Sequence, residues 1–468
     1  MLVRHLEKLF FIDLSQAPFW QRLFFYASLV VLVVSIGVSA TDLYRYEGCD
    51  FLTRYAEARC GFFDLDPYKT MADWMVNGVS QEKHEAYFKG VPHMTNIAGI
   101  TPGLILVYYM PLALLDYISA RYMSGILEWI AFLASIILLT RVVERNADRI
   151  VAVSTSLFFF AGSSFWRLHV ERGQYYIFTV LLIASALFVL HRKKKDFLSG
   201  LLLGITISIR PTALFIALPF VLQRRWKMLS GALCSGVIIG VLSLCVFGLT
   251  GWKSFFWMTN KYELLSTDFS SNVFADISRV PEPPPIQDFE KSGKCGAAAL
   301  PSINSTAVGI IRITKPILTK YSISVSSILL FAKSGVLFAT LAMIWFFVPA
   351  RRSSRNLCSP DDYLFYVGIA AVNLIEYVIP IRAAYADIYY LLFVMLGIPI
   401  VARQKSTWLG VLLLIALASQ QNLLGLVHGW YSIPVRVVGL TLFSFGVLYC
   451  WHDRSSSLHS STETNSTI

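Results

Sequence analysis

The sequence predicts an all-α fold, a polytopic bundle of transmembrane helices packed as one domain, on three observations. Apolar runs long enough to cross a bilayer recur along most of the 468 residues, 56% of which are hydrophobic. Only 15% are charged, and these gather in short clusters between the runs. The mean hydropathy is +0.59, that of a chain whose helices face lipid as well as each other. About ten full spans, with short re-entrant or half-spanning helices between them, account for residues 1–450. The serine-rich stretch 451–468 reads as a disordered cytoplasmic tail.

Arg4, Lys8 and Arg22 hold the N-terminal segment in the cytoplasm under the positive-inside rule. A first span near 23–40 then delivers residues 41–96 to the outer face as a large loop, and this span is expected to be retained, since it lacks a clear small-residue cleavage site. Returning Arg141, Arg145 and Arg149 to the cytoplasm demands an odd number of crossings from a region, 97–140, that holds two apolar segments. The first of these, NIAGITPGLILVYYMPLALLDY (96–117), contains Pro102 and Pro111, each without a backbone donor, and is expected to be a re-entrant or interfacial hairpin. Spans at 120–140, 149–168 and 175–190 follow, leaving VERGQY (170–175) at the outer face and HRKKKD (191–196) inside. Residues 196–222 have cytoplasmic flanks on both sides, which predicts two short helices meeting at Arg210–Pro211 near the outer side. Beyond them, 229–250 goes out and 251–322 forms a second large outer loop. Spans near 323–348, 363–381, 385–401, 406–424 and 432–451 bring the C-terminus back to the cytoplasm.

The formal net charge of +11 comes from clusters such as HRKKKD, RRWK, RRSSR and ARQK at span ends, so no nucleic-acid partner is expected; the bilayer is the partner. Seven cysteines show no metal spacing, and neither a metal nor another cofactor is expected. Cys234, Cys245 and Cys450 lie in apolar runs and read as packing residues, while the sequence leaves open whether Cys49 and Cys60 pair. The N-S-T at Asn304 reads as a chance match to a glycosylation sequon.

This topology gathers polar residues from distant positions at the outer face: Asp42 and Asp50; Glu171, Arg172 and Gln174; Arg210; Asn304, Arg312 and Lys315; Arg382, Tyr385 and Asp387. A carboxylate opposite several cations is what group transfer from a lipid phosphate needs, the carboxylate accepting a proton and the cations stabilising the departing phosphate. The blander alternative, that Glu171 and Arg172 pair only with each other, stays open from sequence. Arg210 is the stronger candidate, because it interrupts an apolar run and precedes a proline.

CDFLTRYAEARCGFFDLDPY (49–68) resembles the first outer loop of GT-C superfamily membrane glycosyltransferases, in particular family 87, the polyprenyl-phosphate-dependent mannosyl- and arabinosyltransferase-like group. Asp50-Phe51, Tyr55, Ala56, Ala58, Gly61 and Asp66-Pro67-Tyr68 carry the pattern. TPGLILVYYMPLALL, Gly173-Gln174, GLLLGITISIRPTALFIALP and INSTAVGIIRI (303–313) follow in the family's order, with Arg210 where lysine is usual. IRAAYADIYYLLF stands where the family often has an aromatic and a histidine, and puts Tyr385 and Asp387 there instead.

The resemblance implies a GT-C fold, a polyprenyl-phosphate monosaccharide donor and inversion at the anomeric carbon; together with the topology it leads to the expectation of a glycan or glycolipid acceptor at the outer face of the plasma (inner) membrane. It points to Asp50 as the general base; Asp42, at the exit of the first span, is the reserve candidate, and substrate contacts are expected from Tyr55, Arg172, Gln174, Arg210, Asn304, Arg312, Tyr385 and Asp387. Two rivals remain: a transporter or flippase of lipid-linked substrates, using the broken helix at Arg210–Pro211 as its site, and a polymerase or ligase using a diphosphate-linked glycan.

Overall fold

A computed structural model of the chain describes residues 2–70, 101–267, 325–348 and 360–378, together with isolated residues at 82, 86–87, 90–91, 391–392, 395, 397, 411 and 446–448. Every regular element among them is helical: α1 (Leu2–Phe10), α2 (Phe19–Arg45), α3 (Cys49–Cys60), α4 (Gly103–Ala113), α5 (Tyr117–Val142), α6 (Asn146–Thr155), α7 (Ser164–Arg172), α8 (Tyr176–Phe188), α9 (Asp196–Ile209), α10 (Leu214–Leu222), α11 (Trp226–Thr267), α12 (Val325–Phe347) and α13 (Pro360–Val378). Among the described residues four helical stretches are long and apolar enough to cross a membrane: Phe19–Arg45, Tyr117–Val142, Tyr176–Lys193 and Trp226–Trp257. The last three expected spans, most of the 251–322 loop and the 451–468 tail fall almost wholly outside the described residues.

The expected break at Arg210–Pro211 is met directly, whereas the expected hairpin at 96–117 is, among the described residues, a single short helix. α4 begins after Pro102 and ends two residues past Pro111. Its 11 residues rise about 16 Å, half the apolar thickness of a bilayer. α9 stops at Arg210, whose extended backbone (φ −134°, ψ 97°) leads through a short 3-10 turn at Pro211–Ala213 into α10. Residues before proline avoid the helical region, which is why the break falls at Arg210.

Two expectations are corrected, and the open question of Cys49 and Cys60 is answered. The 149–168 span is not one helix: α6 runs through a π turn at Ser156–Ala161, breaks at Gly162, and restarts as α7, where the Ser163 hydroxyl accepts from the Trp166 N–H and caps the new helix. Residues 251–267 are not loop, because α11 resumes after Gly248 (φ 62°, ψ 176°) and runs on to Thr267. Cys60 is a free, buried thiol. Cys49 and Cys60 stand at opposite ends of α3, about 16 Å apart along the axis, where disulfide geometry needs Cα atoms within about 7 Å.

Contacts between helices define two ends of the bundle. At one end Asp13 N–H donates to Asn146 (2.8 Å), Arg192 donates to the Arg141 carbonyl (2.7 Å), the Arg141 guanidinium sits 4.0 Å from the Phe11 ring, and Arg225 pairs with Asp196 (3.1 Å). At the other end lie the C-termini of α2, α7 and α9, the N-termini of α5 and α8, and α3. Going from the first end to the second, Asp13 meets Asn146, Phe24 meets Phe158 and Asp42 meets Arg167, so α2 and the α6–α7 pair run parallel.

The closest packing is between α9 and α11. A Cβ on Gly200 would lie 1.9 Å from the Met228 carbonyl oxygen, one on Gly204 2.2 Å from that of Ala232, and one on Gly231 2.2 Å from that of Phe197. Small residues four apart on both helices thus bring the backbones into contact, the usual way apolar helices adhere where lipid offers no hydrophobic drive. The free half of α11 then reaches the second end, where Ser254 donates to Asp66 (2.6 Å) and Phe255 packs on Tyr68 at 5.5 Å.

Candidate functional site

At the second end the chain after α2 does not stay a loop: Gly48 (φ 72°) turns it, and α3 places Asp50 in its first turn, where the positive end of the helix dipole favours a carboxylate. α7 ends just opposite. Gly173 (φ 70°) closes it with its N–H on the Val170 carbonyl (3.2 Å) and the Gln174 N–H on the His169 carbonyl (3.0 Å), the paired bonds of a Schellman turn. That turn swings Arg172 and Gln174 toward Asp50. The Arg172 Nε–H and the Gln174 amide both donate to Asp50 Oδ2, the latter at 2.5 Å. The Asp50 side chain is 17% exposed and that of Arg172 11%, so the pair sits at the edge of solvent access.

Around this pair lie groups that the sequence did not single out. Arg54, one turn along α3, donates to the Asp50 carbonyl (3.1 Å), the Gly173 carbonyl (3.3 Å) and Gln174 Oε1 (3.0 Å), with its guanidinium 4.6 Å from the Tyr175 ring centroid. Arg121 of α5 is buried and donates from Nη2 to the carbonyls of Val170 (2.7 Å) and Glu171 (2.6 Å), a cation capping the negative end of α7. A side chain on Gly48 would strike Arg121 Nε at 2.3 Å, and one on Gly173 would strike Phe51 Cβ at 2.4 Å, so both turns require glycine twice over. The only signal in the sequence for Arg54 was its i,i+4 spacing from Asp50, informative only once 49–60 is known to be helix.

Arg210 reaches the same cluster indirectly. Its guanidinium lies 5.0 Å from the Tyr176 ring, with Nη1 3.4 Å from the Tyr176 hydroxyl, and Tyr176 packs on Tyr175 at 4.4 Å. Asp50, Arg172, Gln174 and Arg210 are therefore brought to one place from three separate stretches of sequence. Tyr55 sits apart: fully buried, it packs edge-on to Tyr117 at 5.3 Å and donates its hydroxyl to the Leu115 carbonyl (2.7 Å), so it braces α3 against the start of α5. Asp42, the reserve base, is 2% exposed and held by both Arg167 Nε (2.7 Å) and Nη2 (2.9 Å). Asp66 accepts from the N–H groups of Tyr68 (3.0 Å) and Lys69 (3.2 Å), at the start of the helical residues 67–70. Asn304, Arg312, Tyr385 and Asp387 lie outside the described residues.

A second carboxyl on α3 has a different character. Glu57 is fully buried, its Oε1 reached by the Thr101 N–H at 3.5 Å and its Oε2 without a hydrogen bond among the described residues. Burial pushes its pKa up to about 8 against the pull of Thr101 and Arg54, so Glu57 is a neutral acid where Asp50 is tied to cations. Behind the site, His169 Nδ1 lies 3.3 Å from Glu128 Oε2, with Trp166 stacked 5.2 Å from the imidazole.

The family model described as Glycosyltransferase family 87 matches residues 101–282. The match runs from just before α4 to beyond the end of α11 and takes in Arg172, Gln174 and Arg210, while α3 with Asp50 precedes it. No curated protein and no solved structure matches the chain. Over this stretch, which is less than half of the chain, the sequence is similar to glycosyltransferase family 87.

Proposed function

We propose that this chain is a multi-pass GT-C-type glycosyltransferase that moves a monosaccharide from a polyprenyl-phosphate donor to a glycan or glycolipid at the outer face of the membrane, with inversion. The observation that carries the reading is the Asp50–Arg172 pair at the bundle end opposite the basic clusters, on helix termini joined by Gln174 and adjoining Arg210. In the reaction the acceptor oxygen bonds to the anomeric carbon from the side away from the phosphate, and its proton passes to the Asp50 carboxylate. The carbon–oxygen bond to the phosphate breaks with its electron pair on the phosphate oxygen, which Arg172 and Arg210 receive. Arg312 and Asn304 would add contacts to the phosphate or sugar, and Tyr385 and Asp387 to the sugar.

The test is incubation of the purified protein with a panel of polyprenyl-phosphate sugars and detection of polyprenyl phosphate. Release from one donor is expected, with Asp50→Asn keeping donor binding and losing transfer. A fully active Asp50→Asn removes Asp50 as the base. The break at Arg210–Pro211 is also what a transporter would use; movement of lipid-linked sugar across vesicles without release from any donor would favour that rival.

A further inference from the structure

We propose that Gln174 and Arg54 are positioning residues for Asp50, a buried amide–guanidinium relay that holds the carboxylate in place instead of touching the sugar or its phosphate. The inference deepens the function proposed above and rests on it only for its catalytic consequence. Gln174 is fully buried, and both ends of its amide are engaged: Nε2 donates to Asp50 Oδ2 (2.5 Å) while Oε1 accepts from Arg54 Nη2 (3.0 Å). The orientation of the amide is forced, since only its NH2 can donate to a carboxylate and only its oxygen can accept from a guanidinium.

Arg54 in turn ties the two backbones that carry the site, through the Asp50 carbonyl on α3 and the Gly173 carbonyl after α7. It is 9% exposed and its guanidinium lies over the Tyr175 ring, so both members of the pair are buried where the Asp50 and Arg172 side chains keep some solvent access. The charged and titratable groups around Asp50 include Arg172 on α7 and Arg54 on its own helix, with Tyr109 of α4 and His169 of α7 in electrostatic range. Each donor to the ionised carboxylate favours that form, and removing one must make Asp50 easier to protonate.

The test uses the full chain in lipid nanodiscs. Infrared titration of each protein against its own Asp50→Asn counterpart isolates the carboxyl band of Asp50 and its midpoint, independently of transfer. Gln174→Ala is expected to raise that midpoint by about one pH unit, a ten-fold change in proton affinity. Gln174→Glu keeps the shape and the bond to Arg54 but sets a second carboxyl against Asp50, and is expected to raise it further. Unchanged midpoints in both variants overturn the relay. A donor KM raised about ten-fold at unchanged kcat would also overturn it, because uniform binding is then what Gln174 supplies. Where the infrared midpoint moves, the acid limb of kcat/KM is expected to move with it. A moving midpoint with a stationary acid limb sinks Asp50 as the base and leaves the relay standing.

Discussion

Glu57→Gln tests the buried acid of α3 without changing its shape. The Glu57 carboxyl is held neutral by burial, with a pKa pushed up to about 8 against an ordinary value of 4.5. Between these pH values the folded chain binds a proton that the unfolded chain has released. The stability this contributes is therefore full below about 4.5 and is lost as pH rises through about 8. At about 1.4 kcal/mol per pH unit, the interval sets a ceiling of about 5 kcal/mol on the pH-dependent part. The assay is the thermal midpoint by intrinsic tryptophan fluorescence in detergent between about pH 5 and about pH 9. The wild-type midpoint is expected to fall by several degrees across that range, and that of Glu57→Gln to stay flatter and to exceed the wild type at the alkaline end. Parallel curves for the two proteins would refute the reasoning, since the slope would then belong to other groups.

Gly200→Ala places a methyl 1.9 Å from a backbone oxygen of α11 and is expected to destabilise by about 3 kcal/mol or more, whereas Gly236→Ala on the same α11, with nothing within 4 Å, is expected to be neutral; folded yield and thermal midpoint decide. Arg167→Met leaves the Asp42 carboxylate, 2% exposed, without its bidentate partner, at an expected loss of about 3 kcal/mol. Adding Asp42→Asn should recover part of that loss, and a double-mutant cycle without coupling would contradict the pair. Cys60 is expected to resist alkylation in the folded protein and to be labelled without prior reduction once unfolded, read by mass spectrometry; a requirement for reductant would restore the disulfide that α3 excludes.

The elements legible in the sequence were those governed by a local rule. An arginine followed by proline inside an apolar run announces the α9–α10 break, while the paired prolines point to a hairpin where the described residues form one short helix, α4, that continues through Pro111. Asp50, Arg172 and Gln174 stand out separately in the sequence, and the fold brings them together across a separation of about 120 residues. What the sequence concealed depends on tertiary context. Residues 49–60 look like a charged loop because α3 has little apolar periodicity; its helix is set by Gly48 at one end and by packing of Gly61 against Val246 and Phe247 at the other. Once α3 is unseen, Arg54 is one of several loop arginines and a Cys49–Cys60 bond looks feasible. Arg121 was hidden for a similar reason, since its partners are backbone carbonyls, which leave no mark in a sequence.

The pairing of α5 with α7 has a consequence for how the chain enters the membrane. α5 carries Arg121 and Glu128, whose partners are the Val170 and Glu171 carbonyls and His169. Glu171 lies 50 residues downstream of Arg121, so at elongation rates of about 5–20 residues per second α5 waits about 3–10 s before its arginine is satisfied. A helix holding an unpartnered guanidinium, and a carboxyl met only by Ser124 of the same helix, gains little by moving into lipid during that interval. Retention beside the insertion machinery until α7 emerges, and release of α5 through α7 as a unit, is the order of assembly that keeps those charges out of the hydrocarbon.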